Sequence, residues 1–205
     1  SNQNDPRLIT PRQGGGFGLD AVWNDDFHHA LHAALTGERA GYYADFGSLA
    51  ALAACCERGF YRDGTWTSVT RGAEGRPIDV ATTPGWRLVV CSSNHDQVGN
   101  RAVGDRLTAQ LSPDDLAIAA VLVLTSPFTP MLFMGEEWAA GTPWQFFTSH
   151  TDQFLADATR EGRLEEFARM GWDKDLVPDP QAESTFLDSK LDWSELGREP
   201  HARLL

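Results

Sequence analysis

The sequence predicts an α/β fold in which short buried strands alternate with helices. The runs WRLVVC (residues 86–91) and PMLFM (residues 130–134) are apolar at nearly every position. Such runs are typical of strands in a parallel sheet that helices cover on both faces. A third strand is predicted at GLDAVW (residues 18–23), after a glycine-rich stretch. With the helices that follow them, these strands make three βα cycles.

A polar cluster follows each predicted strand: WNDDFHH, SNHDQVGN and GEEW. In a (β/α)₈ barrel the functional site is assembled from the loops that follow the strands. An open doubly wound sheet has its site in one crevice instead. Three successive polar loops therefore favour the barrel.

The predicted helices have recognisable starts. In NDDFHHALHAAL, Asp25 and Asp26 suit the positive first turn of a helix, and Ser112 is expected to cap a helix that begins at the next residue. Further helices are predicted from about residue 48 to 57 and from about residue 151 to 170.

The longest apolar run, residues 116–134, approaches the length of a membrane span but is divided by Pro127 and Pro130. We therefore expect a buried helix, a turn and a buried strand in this region. The first residues, SNQNDPRLIT, are polar and contain no apolar segment of the kind found in secretory signals.

The composition indicates an acidic globular protein. Of 205 residues, 41% are hydrophobic and 22% are charged, and the formal net charge is −12. This charge repels nucleic acid and anionic membrane surfaces, so we expect neither as a partner. Of the three cysteines, Cys55 and Cys56 are expected to be small buried side chains. No disulfide framework is indicated, and a cytoplasmic location is predicted.

The stretch SSNHDQVGNR places four hydrogen-bonding side chains, Asn94 to Gln97, directly after a predicted strand. A turn in which Asn or Asp caps the next helix explains one of them, but not four. A carboxylate such as Asp96 suits glycoside hydrolysis, whose transition state resembles an oxocarbenium ion. His95 can hold sugar hydroxyls. A serine nucleophile is not indicated, because no G-x-S-x-G pattern occurs.

The run HHALH raises the possibility of a metal site, because His28 and His32 lie one helical turn apart. However, His29 occupies the position of the glutamate in the H-E-x-x-H zinc pattern. No close ligand spacing links these histidines to the carboxylates of the later loops, so we predict no metal and no cofactor. His32 is expected on a helix face, and His28 is expected to reach the pocket.

Glu136 and Glu137 adjoin the end of the third predicted strand. Because adjacent side chains point in different directions, at most one of the two glutamates faces the predicted substrate site. We predict that Glu136 is the one that contacts the substrate. Helix capping and an ion pair with Arg101 or Arg106 are the alternatives. Aromatic residues that can stack on sugar rings, but that equally suit a core, are Trp23, Trp138, Trp144, Phe146 and Phe147.

Four segments together resemble the malto-oligosyltrehalose trehalohydrolases, a family of the α-amylase superfamily. They are NDPRL, GFGLDAVWNDDFHHALHAALTGERAGYYADF, SSNHDQVGNR and LTSPFTPMLFMGEEWAAGTPWQFFT. The resemblance covers nearly the whole chain. It implies a (β/α)₈ barrel that hydrolyses the α-1,4 bond next to a terminal trehalose unit, with retention at the anomeric carbon and without a cofactor.

By this resemblance, Asp96 is the third superfamily carboxylate, which stabilises the transition state, and His95 is its hydroxyl-binding neighbour. The loop from Trp23 to His28 is expected to contact the trehalose end, with Asp25 and Asp26 accepting hydrogen bonds from hydroxyls. The substrate-binding residues predicted altogether are His95, Gln97, Asn100, Trp23, Asp25, Asp26, His28 and Glu136. The expected partners are malto-oligosyltrehalose and related α-glucans.

One departure from the family bears on the extent of the chain. The general-acid Glu of the family stands shortly before the NDPRL segment, but only SNQ precedes Asn4 here. The resemblance therefore implies a partial barrel, strands six to eight with their helices, in which residues 1–205 lack the nucleophile, the general acid and a C-terminal β-domain. Two alternatives stay open: another superfamily enzyme, such as a branching enzyme or an amylase, and a non-catalytic carbohydrate-binding module.

Overall fold

The computed structural model describes residues 4–65, 67–68, 72–73, 75–169 and 174–205. The strands among these residues are β1 (Val22–Trp23), β2 (Thr67–Ser68), β3 (Gly72–Ala73), β4 (Leu88–Val90) and β5 (Thr129–Pro130). The α-helices are α1 (Asp25–Thr36), α2 (Leu49–Arg58), α3 (His95–Gly99), α4 (Pro113–Thr125), α5 (Gln153–Arg169), α6 (Glu183–Asp188) and α7 (His201–Leu204). The predicted end of α5 at Met170 lies outside the described residues.

The strands β1, β4 and β5 form one parallel sheet in the order β1-β4-β5. In the register, Trp23 lies opposite Val89, and Val90 lies opposite Pro130. Parallel neighbours require crossover connections, which here contain helices, as the sequence predicted. The small sheet is consistent with part of a barrel. The strands β2 and β3 pair with each other in antiparallel orientation.

The third strand of the sheet differs from the prediction of residues 130–134. Pairing is limited to Thr129 and Pro130, both of which are exposed rather than buried. The N–H of Met131 still donates to the carbonyl of Val90 at 2.8 Å. Two residues later, the N–H of Phe133 donates to the side chain of Glu136 and not to β4. The pairing of this segment with β4 has therefore ended.

The chain divides into two compact units. One comprises the residues up to Ser92 together with Ala117–Leu132, and the other comprises Ser93–Leu116 and Phe133–Leu205. The core of the first unit is built from apolar residues of the sheet, α1, α2 and α4: Val22, Phe27, Ala30, Leu31, Ala51, Leu52, Cys55, Leu88, Val90, Ala119, Val123 and Phe128. This core supports the strand ends from which the polar loops leave.

The helix α1 begins and ends as its sequence dictates. The side chain of Asn24 accepts a hydrogen bond from the N–H of Phe27, and Asp25 and Asp26 occupy the positive first turn. Gly37 ends the helix in the left-handed region, at φ 76°. The helix packs against α2, which begins after Ser48 as predicted.

Two expectations about burial were wrong. The helix α4 buries only one face, through Ala119 and Val123, whereas Ile118, Val121 and Leu124 are about half exposed. Side chains four residues apart share a helix face, so an entirely apolar sequence does not by itself bury the opposite side. For the same reason Cys55 is buried but its neighbour Cys56, which points about 100° away around α2, is exposed.

The second unit contains α3 and the C-terminal helices. Its buried aromatic residue Trp138 donates from Nε1 to Glu195 at 3.1 Å, and its ring lies 5.1 Å from that of Trp193. As predicted, α4 begins at Pro113, directly after Ser112, and Oγ of Ser112 accepts a hydrogen bond from the N–H of Asp115 at 3.2 Å. No helix within the described residues has the length and apolar character needed to cross a membrane.

Candidate active site

The helix α3, which follows the end of β4, is organised by a capping box. The N–H of Asp96 donates to Oδ1 of Asn94 at 2.7 Å, and the N–H of Asn94 donates to Oε1 of Gln97 at 2.9 Å. Both capping side chains thus satisfy amides that the helix itself leaves unbonded. Helix capping therefore accounts for two of the four polar side chains, Asn94 and Gln97, whereas the sequence analysis expected it to account for one.

The other two members of the stretch project away from these bonds. The side chains of His95 and Asp96 are 50% and 57% exposed, and Nε2 of His95 lies 3.2 Å from Oδ1 of Asp96. An exposed carboxylate beside an imidazole can accept hydrogen bonds from hydroxyl groups and face a developing positive charge. Both side chains of this pair are accessible to a ligand.

An aromatic side chain lies against α3. A Cβ atom at Gly99 would come 2.7 Å from the ring of Trp144, so the ring requires glycine at this position. The Trp144 ring centroid is 6.2 Å from that of His95 and 5.5 Å from that of Phe133, each at a steep angle. Trp144 therefore has the packing role that the sequence analysis allowed for it, next to the His95–Asp96 pair.

The C-terminal end of α3 is held by Arg163 of α5. Its guanidinium donates through Nη2 to the carbonyl of Gly99 and through Nη1 to Oδ1 of Asn100 at 3.1 Å. Sequence reasoning missed Arg163, because an arginine in a charged helix gives no local sign of its partner 64 residues away. Asn100, predicted to bind substrate, is an acceptor in this contact.

In the first unit, Asp26 is part of a buried ion pair. The side chain is fully buried, its Oδ1 lies 2.7 Å from Nη2 of Arg62 and 2.8 Å from Nε, and its Oδ2 accepts from the backbone N–H of Arg62 at 2.6 Å. Asn4 donates to the same Oδ2 at 2.8 Å. Both carboxylate oxygens of Asp26 are therefore engaged within the protein.

His28 is buried and uncharged. Its Nδ1 lies 2.5 Å from the carbonyl of Ser92, to which it donates, and its Nε2 lies 3.2 Å from the hydroxyl of Tyr43. Burial, assisted by the nearby His32, lowers the pKa of His28 to about 3. The loss of solvation disfavours the charged imidazolium. His28 thus connects the end of β4 to the interior of the first unit.

His32 of α1 has side-chain partners in the first unit. The Nε2 atom of His32 lies 2.8 Å from Oε2 of Glu38, and its ring stacks on Tyr43 at 4.1 Å between centroids. Among the residues that the structure describes, no group of three or more His, Cys, Asp or Glu side chains is arranged to hold a metal ion.

Trp23, 37% exposed, and Asp25, half-buried, are the more accessible members of the first predicted loop.

Glu136 and Glu137 both bond to backbone amides near the third strand. Oε2 of Glu136 accepts from the N–H of Phe133 at 2.8 Å, and Oε2 of Glu137 accepts from the N–H of Gly135 at 2.9 Å. Burial lowers the pKa of Arg106, and the negative charge of half-buried Glu136 offsets part of this shift. The other candidate partner, Arg101, pairs with Asp105 at 2.7 Å.

The predicted site residues therefore fall into two groups. In the second unit, His95 and Asp96 share one exposed turn, Gln97 and Asn100 brace it, and Glu136 lies in the loop after β5. In the first unit, Asp26 and His28 are enclosed.

Comparison with known proteins gives a consistent result. No protein-family model matches the sequence. Malto-oligosyltrehalose trehalohydrolase of Arthrobacter ramosus is 60% identical over 205 residues, which is 100% of this chain and 36% of the relative. The Mycobacterium tuberculosis H37Rv protein of the same name is 53% identical over 204 residues, 100% of this chain and 35% of its own. That of Saccharolobus solfataricus is 42% identical over 193 residues, 94% of this chain and 33% of its own.

The fold also has a solved counterpart. A crystal structure of a protein from Salmonella typhimurium, named as an alpha amylase, superimposes with a TM-score of 0.79 and 40% sequence identity. The match covers 90% of this chain and 31% of that one, and the chain spans about a third of the length of the curated relatives it matches. At 42–60% identity over nearly all of its residues, the chain thus matches part of the malto-oligosyltrehalose trehalohydrolases, and the alpha-amylase structure supports a resemblance to the α-amylase superfamily.

Proposed function

We propose that the chain is the C-terminal part of the catalytic barrel of a glycoside hydrolase, contributing strands six to eight as β1, β4 and β5. The enzyme cleaves the α-1,4-glucosidic bond next to the terminal trehalose of malto-oligosyltrehalose and releases trehalose. The observation that carries the proposal is the exposed His95–Asp96 pair after a parallel strand, in a chain that matches relatives of this name throughout. Segments outside the 205 residues supply the nucleophile and the general acid.

In this reaction Asp96 stabilises the transition state. As the bond breaks, the sugar ring acquires positive charge, and its hydroxyl groups become better hydrogen-bond donors. A carboxylate that accepts these hydrogen bonds interacts more strongly with the transition state than with the substrate. The bond from the N–H of Asp96 to Asn94 fixes the backbone of this turn before substrate arrives.

The other proposed contacts divide according to their accessibility. His95 is the partner of Asp96 in binding the sugar at the cleavage point, and Trp23, Asp25 and Glu136 are further substrate contacts. Such polar contacts favour trehalose-containing substrates, because a buried acceptor without its hydroxyl partner costs free energy. Other members of the predicted set have supporting roles, each within its own unit. Gln97 and Asn100 brace the turn that carries His95 and Asp96, and Asp26 and His28 make buried contacts within the first unit.

The enzyme is expected to act in the cytoplasm on malto-oligosyltrehalose and related α-glucans, without a cofactor. The location is supported by the cysteines, since Cys55, Cys56 and Cys91 are all free thiols. The net charge of −12 supports an uncharged sugar substrate over a nucleic acid.

Product analysis tests the proposal. The full-length protein, including the segments that the relatives have beyond this chain, is incubated with malto-oligosyltrehalose, and the products are separated. We expect trehalose and a malto-oligosaccharide whose new reducing end is initially the α-anomer by NMR. Maltose or glucose without trehalose would indicate an amylase, and new branch points would indicate a branching enzyme. Binding without any turnover would indicate a carbohydrate-binding module and contradict the proposal.

A further inference from the structure

The short helix α3 needs external support to hold its side chains in place. It has five residues, His95–Gly99, fewer than an isolated helix requires for stability in water. The capping box fixes its first turn, through Asn94 and Gln97. At its other end, the N–H of Asn100 donates to the carbonyl of Asp96, but the carbonyl of Gly99 has no partner within the helix and is bonded by Arg163.

The guanidinium of Arg163 is unusually well held. Its Cζ atom lies 4.6 Å from the ring centroid of Phe146 and 4.6 Å from that of Phe167, so the cation is placed between two aromatic rings. Only 11% of the side chain is exposed. The carboxylate of Glu166 is 3.6 Å away and half exposed, whereas both hydrogen bonds described for the guanidinium are directed at α3 and Asn100.

The contact suits arginine in particular. A planar guanidinium can bond two acceptors at fixed relative positions, whereas the lysine ammonium is a single point charge. Here the two acceptors, the Gly99 carbonyl and Oδ1 of Asn100, belong to consecutive residues at the end of α3. Trp144 lies against Gly99 as well, so this end of the helix has both a polar and an aromatic contact.

We propose that Arg163 is a positioning residue for the reaction: by fixing the C-terminal end of α3 it sets the orientation of His95 and Asp96 at the other end. The inference rests on the proposed function for its kinetic consequences, but the structural effect on α3 is independent of it. In this proposal Arg163 acts through α3 and not on the sugar. Loss of the contact is therefore expected to affect the chemical step more than substrate binding.

Arg160 provides a matched control on the same helix. It pairs with Asp179 at 2.8 Å and with Asp157 at 3.0 Å, and it makes no described contact with α3. In the full-length enzyme, Arg163→Gln is expected to lower kcat by about tenfold to hundredfold while KM changes by less than about threefold. Arg160→Gln is expected to leave both constants near those of the wild type. Arg163→Lys is expected to fall between, because it keeps the charge but not the fork.

A double-mutant cycle with Asp96→Asn distinguishes positioning from a general loss of structure. If Arg163 acts through α3, Arg163→Gln should reduce turnover much less in the Asp96→Asn background than in the wild type, because the side chain it orients has already lost its charge. Equal reductions in the two backgrounds, or a kcat of Arg163→Gln within about twofold of the wild type, would overturn the proposal. If Arg163→Gln does not fold, the same cycle is run with Arg163→Lys.

Amide hydrogen exchange separates this inference from the proposed function. Faster exchange at His95–Gly99 in Arg163→Gln than in Arg160→Gln supports the anchoring of α3 even if the wild-type protein releases no trehalose, which would contradict the proposed function alone. Unchanged exchange in this helix together with an active wild type would contradict the role of Arg163 alone. Unchanged exchange with an inactive wild type would contradict both.

Discussion

The backbone N–H of Asp96 donates a hydrogen bond to Oδ1 of Asn94 at 2.7 Å. The capping function therefore belongs to Asn94, and the side chain of Asp96, 57% exposed, has no part in it. This division of roles between neighbouring residues makes the two explanations of the stretch separable by experiment. A change at Asp96 tests the site, whereas a change at Asn94 tests the helix.

Replacement of Asp96 by Asn in the full-length enzyme is expected to lower kcat by roughly a hundredfold to a thousandfold, or about 3 to 4 kcal/mol, with a much smaller change in KM. The substitution keeps the shape of the side chain but removes the charge that we propose stabilises the transition state. Steady-state kinetics on malto-oligosyltrehalose measure both constants. Turnover close to that of the wild type, in a folded variant, would remove Asp96 from the site.

Replacement of His95 by Ala is expected to reduce kcat/KM less than Asp96→Asn reduces it, and to raise KM as well. The imidazole lies 3.2 Å from Asp96. In the proposed function it contacts hydroxyls in both the ground state and the transition state. Measurement of kcat and KM separately tests this expectation. A larger loss for His95→Ala than for Asp96→Asn would assign the main stabilising role to the imidazole instead.

Replacement of Asp26 by Asn is expected to destabilise the protein by about 3 to 5 kcal/mol, because it leaves the buried guanidinium of Arg62 without its counter-charge. The free energy of unfolding from denaturant titration measures the effect. Asp25→Asn is the matched control, since Asp25 is half-buried on the same first turn and is expected to cost less than about 1 kcal/mol. Similar stabilities of the two variants would contradict the importance of the ion pair.

Acidification is expected to destabilise the protein through His28. Burial lowers the pKa of His28 from 6.5 to about 3, so between these values the unfolded chain binds a proton that the folded chain does not. The stabilising contribution is complete above pH 6.5 and is lost as the pH falls towards 3, at up to about 1.4 kcal/mol per pH unit. Unfolding titrations from pH 7 to pH 4 should show a shallower slope for His28→Gln than for the wild type. Identical slopes would show that His28 titrates in the folded protein near its ordinary pKa.

Chelation is expected to leave the activity of the full-length enzyme unchanged. His28 and His32, which share a face of α1, are hydrogen-bonded to Tyr43 and Glu38. Turnover is measured before and after dialysis against EDTA, together with the metal content. Retention of stoichiometric zinc, with loss of turnover when it is removed, would contradict this prediction.

The local pattern of the sequence was sufficient to predict the alternation of parallel strands with helices. Ser112 and the acidic first turns predicted where α1 and α4 begin, and the apolar run around Val89 predicted the central strand of the parallel sheet. These features depend on hydrogen bonds and side-chain periodicity over three or four residues, which a sequence displays directly. The same reasoning identified His95 and Asp96 as an unusual pair after a strand.

Tertiary structure decided which polar residues are open to a ligand and which support the fold. Asp26 and His28 have the composition of a binding loop, but their partners, Arg62 and Ser92, are 36 and 64 residues away along the chain. Arg163 reaches Gly99 across a similar separation. A carboxylate or imidazole has the same chemistry whether it is enclosed by an ion pair or exposed to a sugar. The sequence by itself therefore determined the elements, the superfamily resemblance and the candidate residues, whereas packing between distant segments determined the role of each side chain, because burial and charge pairing are set by neighbours in space.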